Sequence, residues 1–394
     1  MTFFRDLGRV LLHNIRDYGM FIALFFIWIF FAFATNGLFL SPRNLSNLFN
    51  QTGYIAVLAV GMTLVIVIRH IDLSVGFLAG FLGAVAAIAM AQWGWPVYVV
   101  VPFVLVLGVL AGSLTGLPVA YLGIPAFVSS LAGWLIYRGL ILVVTARTGT
   151  IIIANAAFNA IGNGYIPDIL SEVLPTNLNI LTLLLGLIAI LLYIRSAISS
   201  RRKKQAYNFE VLPMEIFILQ LFLISLLIAW LTWVLAGYNG LSWTLVIVLV
   251  VVGVYQFITT QTVVGRHIYA LGGNPEAAQL SGINVKGLTM AVFASMGMLS
   301  ALSGILFASR LQSATTTAGT LFELDAIAAA FVGGVSVAGG VGSVVGSIIG
   351  ALVMVSLTNG MNLMGIDIAW QYVVRGFVLV IAVIFDVATR RIGK

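Results

Sequence analysis

The sequence predicts an all-α polytopic membrane protein of about ten transmembrane helices, two of its hairpins broken or re-entrant, with N- and C-termini cytoplasmic. Three observations predict it. The chain of 394 residues is 61% hydrophobic and only 8% charged, where a soluble domain carries about 25% charged residues. At about 20 apolar residues per spanning helix, this length holds roughly ten spans and their loops. The basic residues stand beside apolar runs, the mark of the cytoplasmic side: Arg5, Arg9 and Arg16 before the first run, Arg195, Arg201, Arg202, Lys203 and Lys204 mid-chain, Arg266 and Lys286 further on, and Arg390, Arg391 and Lys394 at the end. Two apolar stretches are interrupted where the count of crossings requires the chain to enter and return to the same side. The net charge of +7 is therefore a topology signal, not a nucleic-acid footprint.

Taken in order, residues 1–19 form a short basic cytoplasmic N-terminus. The run 20–40 is too long for a signal peptide and lacks a small-residue cleavage site, so it crosses outward as a retained span. Residues 41–50 (SPRNLSNLFN) read as an interfacial helix outside. Runs 52–68 and 73–90 are separated only by the RHID sequence. Residues 92–96 make a turn with two tryptophans, suited to the interface. The runs 98–119 and 127–144 flank a break at Gly123-Ile124-Pro125. Residues 147–179, with Asn155, Asn159, Asn163, Pro167 and Pro175, form a periplasmic loop. The run 181–194 returns to a basic cytoplasmic loop at 196–212. Runs 213–236 and 243–260 then deliver a polar island at 262–287 to the cytoplasm, and 288–308 leaves it. In the last third, 326–338 and 344–357 are short apolar runs joined by GGVGS at 339–343. Two short helices meeting at a glycine break within the membrane satisfy the parity, since irregular backbone is tolerated there only when buried in protein or lining a cavity. Broken segments in both halves point to a pathway near the midplane. Residues 372–387 form the last span.

The island 262–287 holds a miniature helix with both ends marked. Asn274 is a good N-cap, Pro275 suits the first helical position, and Glu276 places negative charge at the positive end of the dipole. Ala277 to Ser281 continue the helix and Gly282 ends it in a left-handed C-cap. Two turns are too short to be stable alone in water, so this helix lies against a partner.

The residue inventory excludes most chemistry. There is no cysteine and only three histidines, His13, His70 and His267, none at metal-ligand spacing. Hence no catalytic residues, no metal site and no cofactor are expected. No glycine-rich loop ends in Gly-Lys-Ser/Thr, so ATP, if it drives the protein, is bound by another chain. Asp72 either caps a helix starting at Leu73 or lines a pathway with Ser74 and Gly76. Asp325 offers the same choice before Ala326. Arg69 and His70 are near enough to pair with Asp72, and Arg138 and Arg375 have Asp72, Asp325, Asp367 or Asp386 as alternative partners. Gly339 and Gly340 belong either to the pathway or to tight packing, and the four-residue spacing of Gly342, Gly346 and Gly350 favours close helix approach. A proton-coupled carrier relaying through His70, Asp72 and Asp325 is one reading; against it stands the capped helix at 274–282, for which a carrier has no evident need.

Four segments carry a resemblance: 44–76 (NLSNLFNQTGYIAVLAVGMTLVIVIRHIDLSVG), 123–140 (GIPAFVSSLAGWLIYRGL), 265–285 (GRHIYALGGNPEAAQLSGINV) and 323–343 (ELDAIAAAFVGGVSVAGGVGS). They span nearly the whole chain. It resembles the membrane permease subunit of ATP-binding-cassette (ABC) monosaccharide importers, in the ribose, xylose and galactose branch, and looks closest to the xylose and multiple-monosaccharide permeases. The resemblance implies a single permease domain over 1–394 in the bacterial inner membrane, paired as a homodimer in lipid. It also implies a cytoplasmic ATPase and a periplasmic sugar-binding protein that delivers xylose or a broader set of sugars. A permease for another small polar solute stays open. By likeness to the family's coupling helix, Gly273, Asn274, Pro275, Glu276, Ala277, Ala278, Ser281, Gly282 and Ile283 would contact the ATPase.

Overall fold

The computed structural model describes residues 15–146, 148–170, 178–209 and 211–392. The basic residues Arg5, Arg9, Arg147 and Lys394, and Pro175, lie outside them. Among the described residues, nine helices are long and apolar enough to cross a membrane, and Gly19–Ala34 and Val75–Ala91 are shorter apolar helices. In chain order the helices are α1 (Ile15–Ala34), α2 (Pro42–Val67), α3 (Val75–Ala91), α4 (Val97–Leu122), α5 (Ala126–Thr145), α6 (Ala156–Asn163), α7 (Ile180–Ala206), α8 (Met214–Ala236), α9 (Trp243–Gln261), α10 (Val263–Gly273), α11 (Pro275–Leu280), α12 (Val285–Leu311), α13 (Phe322–Val332), α14 (Val344–Leu363) and α15 (Ile368–Ile392). The chain is a multi-pass helical membrane protein. Its sheet content is one antiparallel pair, β1 (Thr150–Ile152) with β2 (Ser313–Thr315), in register Ile151 to Ala314.

The residues fall into two compact units. Of the described residues, one comprises 15, 40–47, 165–170, 178–209 and 211–242. Within it α7 and α8 pack closely: a methyl group added at Gly186 would lie 2.3 Å from Thr232 Cγ2. Asn179 caps α7 by accepting from Thr182 N at 2.9 Å, and Asp168 accepts from Ile180 N at 2.7 Å. The basic cluster, expected in a loop, continues α7 for its last turns. Unbranched Arg and Lys are good helix formers, and the cations sit at the negative end of the dipole. Arg201 anchors that end by donating to Leu212 O at 2.6 Å.

The second unit comprises 16–39, 48–146, 148–164 and 243–392. Helix α12 runs through its core, and small residues let backbones touch. A Cβ at Gly297 would meet Gly108 O at 2.1 Å, and one at Gly304 would meet Ala79 O at 2.1 Å. Helix α6 docks on the end of α12, where Asn163 Nδ2 donates to Ser309 O at 2.9 Å and Arg310 O at 3.0 Å, satisfying carbonyls that helix geometry leaves open. The glycine row is confirmed in part. Gly350 of α14 faces Ala329 O of α13, 1.9 Å from where its Cβ would be, and Gly346 faces Gly333 O at 2.2 Å; Gly342 precedes the helix and belongs to the break.

Further boundaries differ from the sequence reading. Residues 41–50 are not a separate interfacial helix. They begin the 26-residue α2, which at about 39 Å is long enough to cross the membrane and project beyond it. The interruption at 68–74 follows directly on the end of α2. Finally, α14 runs on to Leu363 through Asn359, which is buried.

Candidate functional site

The island 262–287 forms two helices and not one. Thr262 caps α10 by accepting from Gly265 N at 3.2 Å. Ile268 and Leu271 are buried in the same core cluster as Val67, Phe331 and Val344, so α10 is anchored on the bundle. Sequence reading missed this helix because its polar residues and glycines hide a short apolar face. The signal was the i, i+3 pair of Ile268 and Leu271.

Asn274 joins the two helices. Its N–H donates to Ala270 O at 3.0 Å at the end of α10, and its Oδ1 accepts from Ala277 N at 3.0 Å at the start of α11. Pro275 occupies the first turn and Glu276 is the acid beside it. Ser281 Oγ donates back to Ala277 O at 2.8 Å. Gly282 takes φ +83°, the left-handed turn expected of it, and Ile283 N closes on Ala278 O at 3.1 Å. Asn284 then caps α12 through Gly287 N at 2.9 Å. With a cap at each joint, α11 is held as a rigid arm between two anchored helices.

The apolar face of α11 divides. Ala278 is buried at 4% exposure, whereas Leu280 is 89% exposed. Ala277 is also exposed and Ile283 half-buried, as Gly273, Asn274, Glu276, Ser281 and Gly282 are exposed and Pro275 half-buried. Leu280 is thus a large apolar side chain left uncovered on a short capped helix.

The residues expected in the pathway separate into two groups. Asp72, Ser74 and Gly76 are buried. Asp72 does not cap a helix at Leu73: α3 starts at Val75 with Ser74 before it. Asp72 Oδ1 instead accepts from Ser74 N at 2.9 Å and Ser74 Oγ at 2.6 Å, a local turn that competes with extending the helix. Gly76 packs against Glu323 and Gly319 with no room for a side chain. Asp325 does not cap a helix at Ala326 either. It lies in the first turn of α13 and pairs with Arg375, whose Nη1 is 3.2 Å from both carboxylate oxygens. Among the described residues Arg138 pairs with no carboxylate: it donates to Thr316 O and lies 5.0 Å from the Phe77 ring centre. Gly339 and Gly340 have φ +78° and +72°, and Gly340 N donates to Val67 O at 2.8 Å. The two membrane breaks thus touch each other at the end of α2. No group of three or more metal-ligating side chains occurs among the described residues.

Comparison with known proteins agrees with this architecture. Residues 44–383 match the family described as branched-chain amino acid transport system / permease component. The xylose transport system permease protein XylH of Escherichia coli K12 is 39% identical over 378 residues, 96% of this chain and 93% of the relative. XylH of Haemophilus influenzae is 39% identical over 378 residues, covering 96% and 98%. The ribose import permease protein RbsC of E. coli K12 is 34% identical over 348 residues, covering 88% and 87%. No solved structure matches. With a helical bundle of many spans, a family match over most of its length and these relatives, the chain belongs to the ABC transport permease family, in the branch of the xylose and ribose permeases.

Proposed function

We propose that this chain is the transmembrane permease of an ATP-driven importer that moves a monosaccharide inward, xylose or a wider set of sugars. Two copies form the pathway in the lipid bilayer, a periplasmic binding protein delivers the sugar, and a cytoplasmic ABC ATPase supplies the work. The whole of 1–394 acts as one permease domain that performs no chemistry itself. The observation that carries the reading is α11: a capped helix with Leu280 bare, on an island flanked by basic residues. A carrier working alone has no evident use for it. Residues 273–278 and 281–283, with Leu280, form the contact with the ATPase, and ATP binding in that partner shifts the bundles between outward- and inward-facing states. In the pathway, burial supports a scaffolding role for Asp72, Ser74 and Gly76. The partial exposure of Asp325, Gly339 and Gly340 supports their lining it.

Glu276→Lys and Gly282→Val test this. Glu276 is exposed, and a Cβ at Gly282 meets open space but a strained backbone. Both variants insert and dimerise yet lose sugar uptake. Normal sugar-stimulated ATPase activity in either variant refutes the coupling role.

A further inference from the structure

A docking helix does nothing for transport unless its movement reaches the membrane segments. Arg69 lies where that connection is made. It stands in the break between α2 and α3 with φ 66°, a left-handed backbone that non-glycine residues rarely adopt. Its side chain turns away from Asp72, the partner that sequence proximity suggests. Nε donates to Gly272 O at 2.6 Å, and Nη2 donates to Gly273 O. These carbonyls end α10, where a helix leaves its last carbonyls unpaired and carries its negative dipole end. A guanidinium suits the place because its rigid fork reaches two acceptors and keeps its charge.

The other break is locked to the same point. A methyl group at Gly339 would lie 2.4 Å from Arg69 Cγ, and one at Gly272 would lie 1.8 Å from Val67 O and 2.6 Å from Gly340 N. Tyr269 of α10 donates to Gly342 O at 2.8 Å. Three segments far apart in sequence therefore meet with no space for a side chain between them: the end of α2, the end of α10 and the loop 333–343.

We propose that Arg69 is a positioning residue that clamps the end of α10, and with it the α11 arm, to both membrane breaks. A pull on α11 then reaches 68–74 and 333–343 as one motion. Glycine would fit the left-handed backbone at 69 with less strain, but only the arginine supplies the guanidinium. This inference rests on the reading of α11 as the ATPase-docking helix.

The test uses proteoliposomes holding the full chain with the ATPase and binding protein of a xylose importer, supplied with xylose and ATP. Arg69→Gly keeps the left-handed backbone and removes the clamp. The expected result is at least a tenfold fall in xylose moved per ATP hydrolysed, with ATPase affinity within twofold of the parent. A parental ratio overturns the clamp. Loss of ATPase binding also overturns it, since Arg69 would then belong to the docking face. If Arg69→Gly does not insert, Arg69→Gln retains the stem packed on Gly339 and carries the same test with the same outcomes. Failure of the underlying reading looks different: Glu276→Lys would then couple normally whatever Arg69→Gly does.

Discussion

Replacing Leu280 with alanine probes the docking face with little risk to the fold. The side chain is 89% exposed, so its removal leaves no cavity, and stability should change by less than about 0.5 kcal/mol. Against a partner groove the same change is costly. It deletes three carbons, each contributing about 0.8 kcal/mol when buried, for about 2.4 kcal/mol per docking site. At about 1.4 kcal/mol per decade, the dissociation constant of the ATPase rises roughly 50-fold. Leu280→Asp weakens binding further, because a carboxylate would enter an apolar groove. The assay is a titration of the xylose-system ATPase onto the permease in nanodiscs, beside a melting curve of the permease alone. A parental affinity for both variants would refute the assignment of Leu280 to the interface. A lowered melting temperature for Leu280→Ala would refute the claim that the side chain is free.

Four further predictions concern the frame that carries α11. A cysteine at the exposed Ala157 of α6 should react with a membrane-impermeant thiol reagent from the periplasmic side only, in a chain with no cysteine of its own; labelling from the cytoplasmic side would invert the topology. Gly350→Ala should destabilise by about 1–3 kcal/mol through overpacking against Ala329 O, read as an earlier unfolding transition in detergent. Asp72→Ala should cost about 1–3 kcal/mol by leaving the Ser74 donors unpaired, while Asp72→Asn keeps an acceptor and most of the stability. Equal losses from the two would discard the turn as the reason for Asp72. Asp325→Asn and Arg375→Gln should each destabilise by about 2 kcal/mol, below the value for a fully buried pair because both side chains keep some solvent. The double variant should lose less than the sum of the two, and strict additivity would show that the pair does not interact.

Much of this architecture is written in local chemistry. Asn274, Pro275 and Gly282 mark the ends of α11 because caps, fixed φ and left-handed turns are properties of single residues. Basic clusters beside apolar runs give an expected sidedness for a similarly local reason. The spacing of Gly346 and Gly350 announces a close helix approach without saying to what. What was not legible depends on contacts distant in sequence. Asp72 looked like a helix cap, but Ser74 competes for its carboxylate and delays the helix. Asp325 looked like a cap too, and Arg375, fifty residues on, claims it instead. Arg69 looked like a neighbour for Asp72, and its true acceptors lie some two hundred residues away. The polar stretch 41–50 looked like a separate helix, but it continues without a break into the apolar turns of α2.

The central claim is that this permease moves sugar only when coupled to an ATPase. Proteoliposomes holding the chain alone, with labelled xylose and an imposed pH gradient, measure it most directly beside vesicles that also hold the xylose-system ATPase, its binding protein and ATP. No uptake is expected in the first set, and ATP-dependent uptake in the second. Xylose accumulation driven by the pH gradient in the chain alone would contradict it.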